Sequence, residues 1–232
     1  MDSTQAQAPQ GIGEQIKATP ATALEVITNP TGFFRQVPKT GGFLPPLLFM
    51  IVMGAIGGLL QAILGLVGLG SADMISGLIA LILMPIMVAI FSFVGAAILF
   101  VFWKILGSAE SYETAFRCGA YTAAIMPITI LLNIIPYLGG ILGLAWMTFL
   151  LVQASIEVHG LAAKKAWTAF GILFTLLAIS SITTEIATRK ISRSMAEWQQ
   201  TNQAQIDEMS PEEAGKAMGK FLKAFEEAAE KE

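Results

Sequence analysis

Two long stretches of this chain are almost free of charge. Between Thr40 and Trp103 the only Asp, Glu, Lys, Arg or His is Asp73, and between Cys118 and Ile156 there is none. A bilayer core takes about 20 consecutive apolar residues per helix. The two stretches hold about four such lengths, and Trp167 to Thr184 adds one more. The pattern predicts an all-α, polytopic membrane bundle of about five transmembrane helices with a C-terminal amphipathic helix.

The first span is expected over 43–69, with Pro45 and Pro46 tolerated in its first turn. The second covers 75–103; it is long enough to tilt, and Pro85 should kink it. The third, 115–134, contains Pro127. A turn at Pro136 and Tyr137 leads into the fourth, 138–156, which Gly160 stops. The fifth covers 166–186. These spans make one membrane domain, 43–186.

The flanks differ in kind. Residues 1–18 are rich in Gln, Ala and Gly and read as a disordered tail. In 19–42, Thr19-Pro20 and Asn29-Pro30 each place Pro at the first position of a short interfacial helix. Residues 187–232 form an extramembrane helical tail. There Ser210-Pro211-Glu212-Glu213 is a capping box, and Met218, Phe221, Leu222 and Phe225 share an apolar face. That face suits a protein partner or self-association; the acidic excess opposite it disfavours anionic lipid.

Composition agrees with the pattern. Hydrophobic residues make up 54% and charged ones 13%, against about 25% charged in a soluble domain. A net charge of −3 gives no basic footprint for nucleic acid. The single cysteine, Cys118, leaves no intrachain disulfide and matches no metal pattern. No basic-then-apolar leader is visible, so the first span is expected to serve as its own insertion signal.

Arg35, Lys39, Lys104, Arg117, Lys164 and Lys165 fall before span one and in the second and fourth loops. The positive-inside rule then places the N-terminus in the cytoplasm. Five spans put the tail on the far side, against the pull of Arg189, Lys190 and Arg193.

Several residues are singled out by type and place. Phe33, Phe34, Arg35 and Lys39 combine rings and cations suited to anchoring at the membrane interface, although the rings could instead pack on the protein's own spans. Gly54, Gly58 and Ala62 recur every four residues, a small-residue face for close helix packing. Gln61, Asn133 and Gln153 are uncharged polar groups at membrane depth, suited to interhelical hydrogen bonds. Glu157 and His159 read as a polar cap at the end of span four. Asp73 reads as a loop residue, and the scattered methionines as core filler.

The order of these features resembles the Yip family (Ypt/Rab-interacting proteins), which have five spans. Asn29-Pro30 with Phe33-Phe34-Arg35, Tyr121 with Pro127, Pro136 with Gly139-Gly140, Trp146, and Glu157-Val158-His159-Gly160-Leu161 carry the likeness over roughly residues 24–185. The resemblance implies a cytosolic N-terminus and a far-side C-terminus. Eukaryotic members are associated with Rab GTPases and carry an Asp-Leu-Tyr-Gly-Pro-type motif. This sequence lacks that motif, so it looks like a prokaryotic-type member of an inner membrane, and GTPase binding is not supported.

No residue pattern supplies catalysis, a metal site or a cofactor site. The expected function is therefore a non-enzymatic scaffold or adaptor in the lipid bilayer. The alternative is small-solute permeation or lipid translocation along a groove in the bundle, between spans kinked at Pro85 and Pro127.

Overall fold

A computed structural model describes the backbone of residues 11–69, 74–135, 137–208, 210, 212–213, 215–220 and 223. Among the described residues every element is helical. The chain divides into two compact units, Met1–Ser181 and Ile182–Glu232.

Helix α1 spans Ile12–Thr28 and buries Thr19, Ala23 and Val26, a helical 4-then-3 spacing. It begins well before the expected start at Thr19-Pro20, and Pro20 lies inside it. Of the expected disordered tail, residues 12–18 are thus helical, and residues 1–10 lie outside the described residues. Helix α2, Pro30–Gln36, opens as the Asn-Pro signal requires: the Asn29 side chain accepts from the Gly32 N–H at 3.2 Å, with Pro30 in the first turn.

The spans follow. Helix α3 is Leu44–Leu66, with two prolines in its first turn, and α4 is Met74–Ile105, continuous through Pro85. Asp73 lies outside the described residues. Both helices end in Schellman turns on a left-handed glycine. After α4, Gly107 has φ 90°, and Ser108 N–H reaches the Trp103 carbonyl at 2.9 Å.

The third span is broken. Helix α5 (Tyr112–Tyr121) tightens into a 3₁₀ turn over Thr122–Ile125 before α6 (Met126–Leu132) resumes. Pro127 has no N–H for the Ala123 carbonyl, which removes one rung of the α ladder at this point. Tyr137 then takes φ 64°, a left-handed conformation that costs a non-glycine residue about 1 kcal/mol. It starts α7, Leu138–Glu157; Gly160 (φ 65°) turns the chain into α8, Ala163–Glu208. Among the described residues, five segments are long and apolar enough to cross a membrane: Leu44–Leu66, Pro85–Ile105, Tyr112–Leu132, Leu138–Glu157 and Ala163–Trp198.

Small residues set the spacing of the first unit. A Cβ on Gly54 would lie 3.3 Å from Val88 of α4, and one on Gly57 would lie 2.9 Å from Ile130 of α6. Gly58 and Ala62 are buried on the same helix. On α7, a Cβ at Gly143 would lie 2.6 Å from Thr129 of α6.

The buried side chains gather at one end. Val26, Phe34, Phe49, Trp103, Cys118, Leu150, Val158 and Phe170 belong to one cluster. It joins α1 and α2 to the start of α3, the end of α4, the start of α5, the end of α7 and the start of α8. We call this the near end. At the opposite, far end α6 buries no residue.

In the second unit, Ser210 and Glu213 exchange the bonds of a capping box: Ser210 N–H to the Glu213 carboxylate at 2.9 Å, and Glu213 N–H to Ser210 Oγ at 3.4 Å. These bonds hold the Glu213 carboxyl below its ordinary pKa. Residues 215–220 are helical with Met218 half-buried; Phe221, Leu222 and Phe225 lie outside the described residues.

Candidate functional site

The near end holds most of the first unit's charged groups, and its polar contacts sort into three clasps. In the first, α2 lies along the last turns of α7. Thr31 Oγ1 donates to Gln153 Oε1 at 2.9 Å, and one turn on, Arg35 meets Glu157 with Nε–Oε2 at 2.7 Å and Nη2–Oε1 at 3.2 Å. Both partners are spaced by four residues, so two helices match turn for turn. The carboxylate raises the Arg35 pKa.

The second clasp ties the link between α2 and α3 to the start of α5. Lys39 Nζ lies 2.7 Å from Glu110, and Thr114 Oγ1 donates to the Lys39 carbonyl at 3.1 Å. Glu113 Oε1 accepts the Gly42 N–H at 2.7 Å, while Arg117 Nη2 donates to the Gly42 carbonyl at 2.8 Å. The Arg117 side chain is 4% exposed, so this charge has left water and is held by Glu113 and the carbonyl together. Gly41 makes the approach possible: its φ is 120°, and a Cβ there would lie 2.8 Å from Arg117 Nη2.

The third clasp is buried. Trp103 Nε1 donates to Ser155 Oγ at 2.8 Å, and Ser155 Oγ donates to the Leu151 carbonyl at 2.6 Å. The Trp103 ring stacks on His159 with centroids 3.9 Å apart, and His159 Nδ1 lies 2.7 Å from Ser108 Oγ. Ser108 Oγ also accepts the Glu110 N–H at 3.2 Å, which links this clasp to the second. Burial pushes the His159 pKa down from 6.5 to about 4, because a charged imidazole is poorly solvated there. Its Nε2 is buried without a hydrogen-bond partner among the described residues.

A serine beside a histidine suggests nucleophilic chemistry. Ser108 and His159 are however only 6% and 7% exposed, so no substrate reaches them in this arrangement. Among the described residues no three His, Cys, Asp or Glu side chains lie together in a way that could hold a metal ion.

The sequence-derived candidates separate here. Phe34 is 1% exposed and so faces the protein rather than lipid; burying the ring in the core outweighs leaving it at the interface. Phe33 packs edge-on against both Phe34 and Tyr121. Arg35 and Lys39 are engaged with carboxylates. Gln153 bonds Thr31, Gln61 is half-buried, and Asn133 is exposed at the turn, where a Cβ on Gly139 would strike its side chain. Gly54, Gly58 and Ala62 belong to the packing of α3, away from the clasps.

Sequence reasoning missed the Trp103–Ser155–His159–Ser108 group. One faint signal existed: Ser155 and His159 are four apart at a helix end. Ser108 lies 51 residues from His159, beyond any local pattern.

A family model described as the Yip1 domain matches residues 24–184. The matched stretch contains all three clasps and the first four spans, and it ends within α8. No curated protein matches the chain, and no solved structure does.

Proposed function

This chain belongs to the Yip family of multi-pass membrane proteins, and from that premise we propose that it acts as a non-enzymatic scaffold or adaptor organising partners at the membrane. The observation that supports this reading most is the clasped segment ahead of the first span. Arg35, Lys39 and Arg117 are committed to carboxylates that pin α2 and its link to the bundle. A surface fixed in this way meets a partner without first having to be ordered. The loop-charge bias supports a cytoplasmic position for this end, and the missing Asp-Leu-Tyr-Gly-Pro-type motif supports a prokaryotic inner membrane. The apolar face expected from the sequence over Met218, Phe221, Leu222 and Phe225 would supply a second docking element.

A photo-crosslinker at Gln36, exposed on α2, tests the proposal in native membranes. A discrete crosslinked protein is expected, and F221D/F225D should weaken recovery of any partner held by the tail. Crosslinks from Gln36 to lipid alone would sink the scaffold reading.

One observation favours a second reading, lipid translocation. Ile27, Ile125, Ile128, Leu132, Leu142, Gly143, Ala145 and Trp146 line an apolar groove of about 410 Å³ beside the break at Pro127. It lies between α6 and α7 and does not involve Pro85. Vesicles containing only this protein decide between the two. Movement of a labelled lipid at the empty-vesicle rate fits a scaffold, and a faster rate fits translocation.

A further inference from the structure

We propose that the near end carries a binding site for an anionic glycerophospholipid, in the groove where α8 begins beside the end of α4. The groove measures about 580 Å³, within the roughly 300–1,000 Å³ of small-molecule sites. Leu106, Ala162, Ala169 and Ile172 form an apolar wall, and Lys164 and Lys165 stand at its edge. Ile172 is eight residues past Lys164, or about 12 Å along the helix. Since α8 enters the membrane here, the apolar wall lies deeper and the amines lie at headgroup level. Hydrocarbon joined to an anion is the chemistry that fits both parts.

The charge balance points the same way. The cations of the clasps each face a carboxylate. Lys104, Lys164 and Lys165 have no such partner among the described residues. Lys104 Nζ lies over the Phe100 ring at 5.3 Å, in the last turn of α4. Lys165 Nζ reaches the loop just after that turn, where a Cβ on Gly107 would lie 3.8 Å away. The amines therefore flank one helix end.

The first turn of α8 carries Lys164 and Lys165 and no acidic residue. Cations there oppose the positive end of the helix dipole, and Ala162 offers no capping oxygen. A lipid phosphate at the mouth of the groove offsets both defects. A zwitterionic lipid would bring its own cation against the amines, so the site favours a net-negative headgroup.

Tryptophan quenching by brominated lipid tests the site in the full chain, because Trp167 is exposed next to the lysines. Vesicles of phosphatidylcholine carry either brominated phosphatidylcholine or brominated phosphatidylglycerol. The anionic quencher should be preferred by roughly fivefold for each amine that contacts it. The preference should vanish in K104Q/K164Q/K165Q and persist in K104R/K164R/K165R. Melting in detergent confirms folding, and K164Q alone gives the reading if the triple variant does not fold. Equal quenching by the two lipids, or a preference unchanged in the Gln variant, would overturn the proposal. Competition by inorganic phosphate at constant ionic strength would also overturn it, since the site would then take a free anion.

Discussion

The two ends of the bundle solve different problems. At the near end Phe34, Trp103, Phe116 and Phe170 are all under 2% exposed. At the far end Ile128, Leu131, Leu142 and Trp146 are 37–45% exposed. Lipid solvates apolar side chains as well as protein does, so the far end gains little by burying them and relies on close backbone approach at glycine. At the near end the chain meets headgroups and water, where polar groups must find partners and loops must be fixed. Residue-specific structure concentrates there, and so should sensitivity to mutation.

The contrast is tested most severely by Trp103→Ala against Leu142→Ala. Trp103 gives up a buried ring, the Ser155 bond and the His159 stack, so unfolding in mild detergent should show a loss of about 3–5 kcal/mol. Leu142, 44% exposed, should cost less than about 1 kcal/mol. Equal losses would mean that the near end is no more specified than the far end.

Acid should weaken the near end next. His159 has a folded pKa of about 4 against an ordinary 6.5, so the unfolded chain binds the proton more readily between those values. The stabilisation is complete above pH 6.5 and is lost as pH falls through 4, amounting to about 3 kcal/mol. Glu110, Lys39 and Lys104 are the charges that act on the imidazole. Carboxylates titrate in the same window, so the measurement is the difference between wild type and His159→Gln. A difference that does not change with pH would show that the imidazole is not buried as described.

Much of the far end was legible in the sequence, because a bilayer imposes long apolar runs and short turns. The position of the break at Pro127 followed from a missing N–H. The start of α1 did not: Thr19-Pro20 is a local signal, whereas Ile12–Thr28 is helical over a face that packs on α3. The clasps were least legible. Arg35 and Glu157 are 122 residues apart; Arg35 alone reads as an interface anchor and topology marker, and Glu157 alone as a polar cap. The four-residue spacing shared by Thr31/Arg35 and Gln153/Glu157 was readable, but nothing local says that those two faces meet.

Glycine positions sharpen the contrast at smaller scale. Gly41→Ala places a Cβ against Arg117 Nη2 in a left-handed backbone, whereas a Cβ at Gly68 (φ 68°) meets nothing within 4 Å. Thermal unfolding should show a loss of about 2–3 kcal/mol for Gly41→Ala and about 1 kcal/mol for Gly68→Ala. Similar values would mean that the Arg117 guanidinium moves aside without consequence.

The smallest effect concerns the first clasp. The Arg35 side chain is 65% exposed although its partner Glu157 is 14% exposed. Water and salt screen such a pair, so Arg35→Gln should leave global stability almost unchanged. Its consequence should be local, because the pair and the Thr31–Gln153 bond are the polar contacts that hold α2 on α7. Amide exchange over 33–36 should quicken by about fivefold, while amides in the buried turns of α7 stay unchanged. A global loss as large as that of Trp103→Ala would show that α2 and the buried core unfold as one unit. The near end would then be a single cooperative body rather than a core with a platform clasped to it.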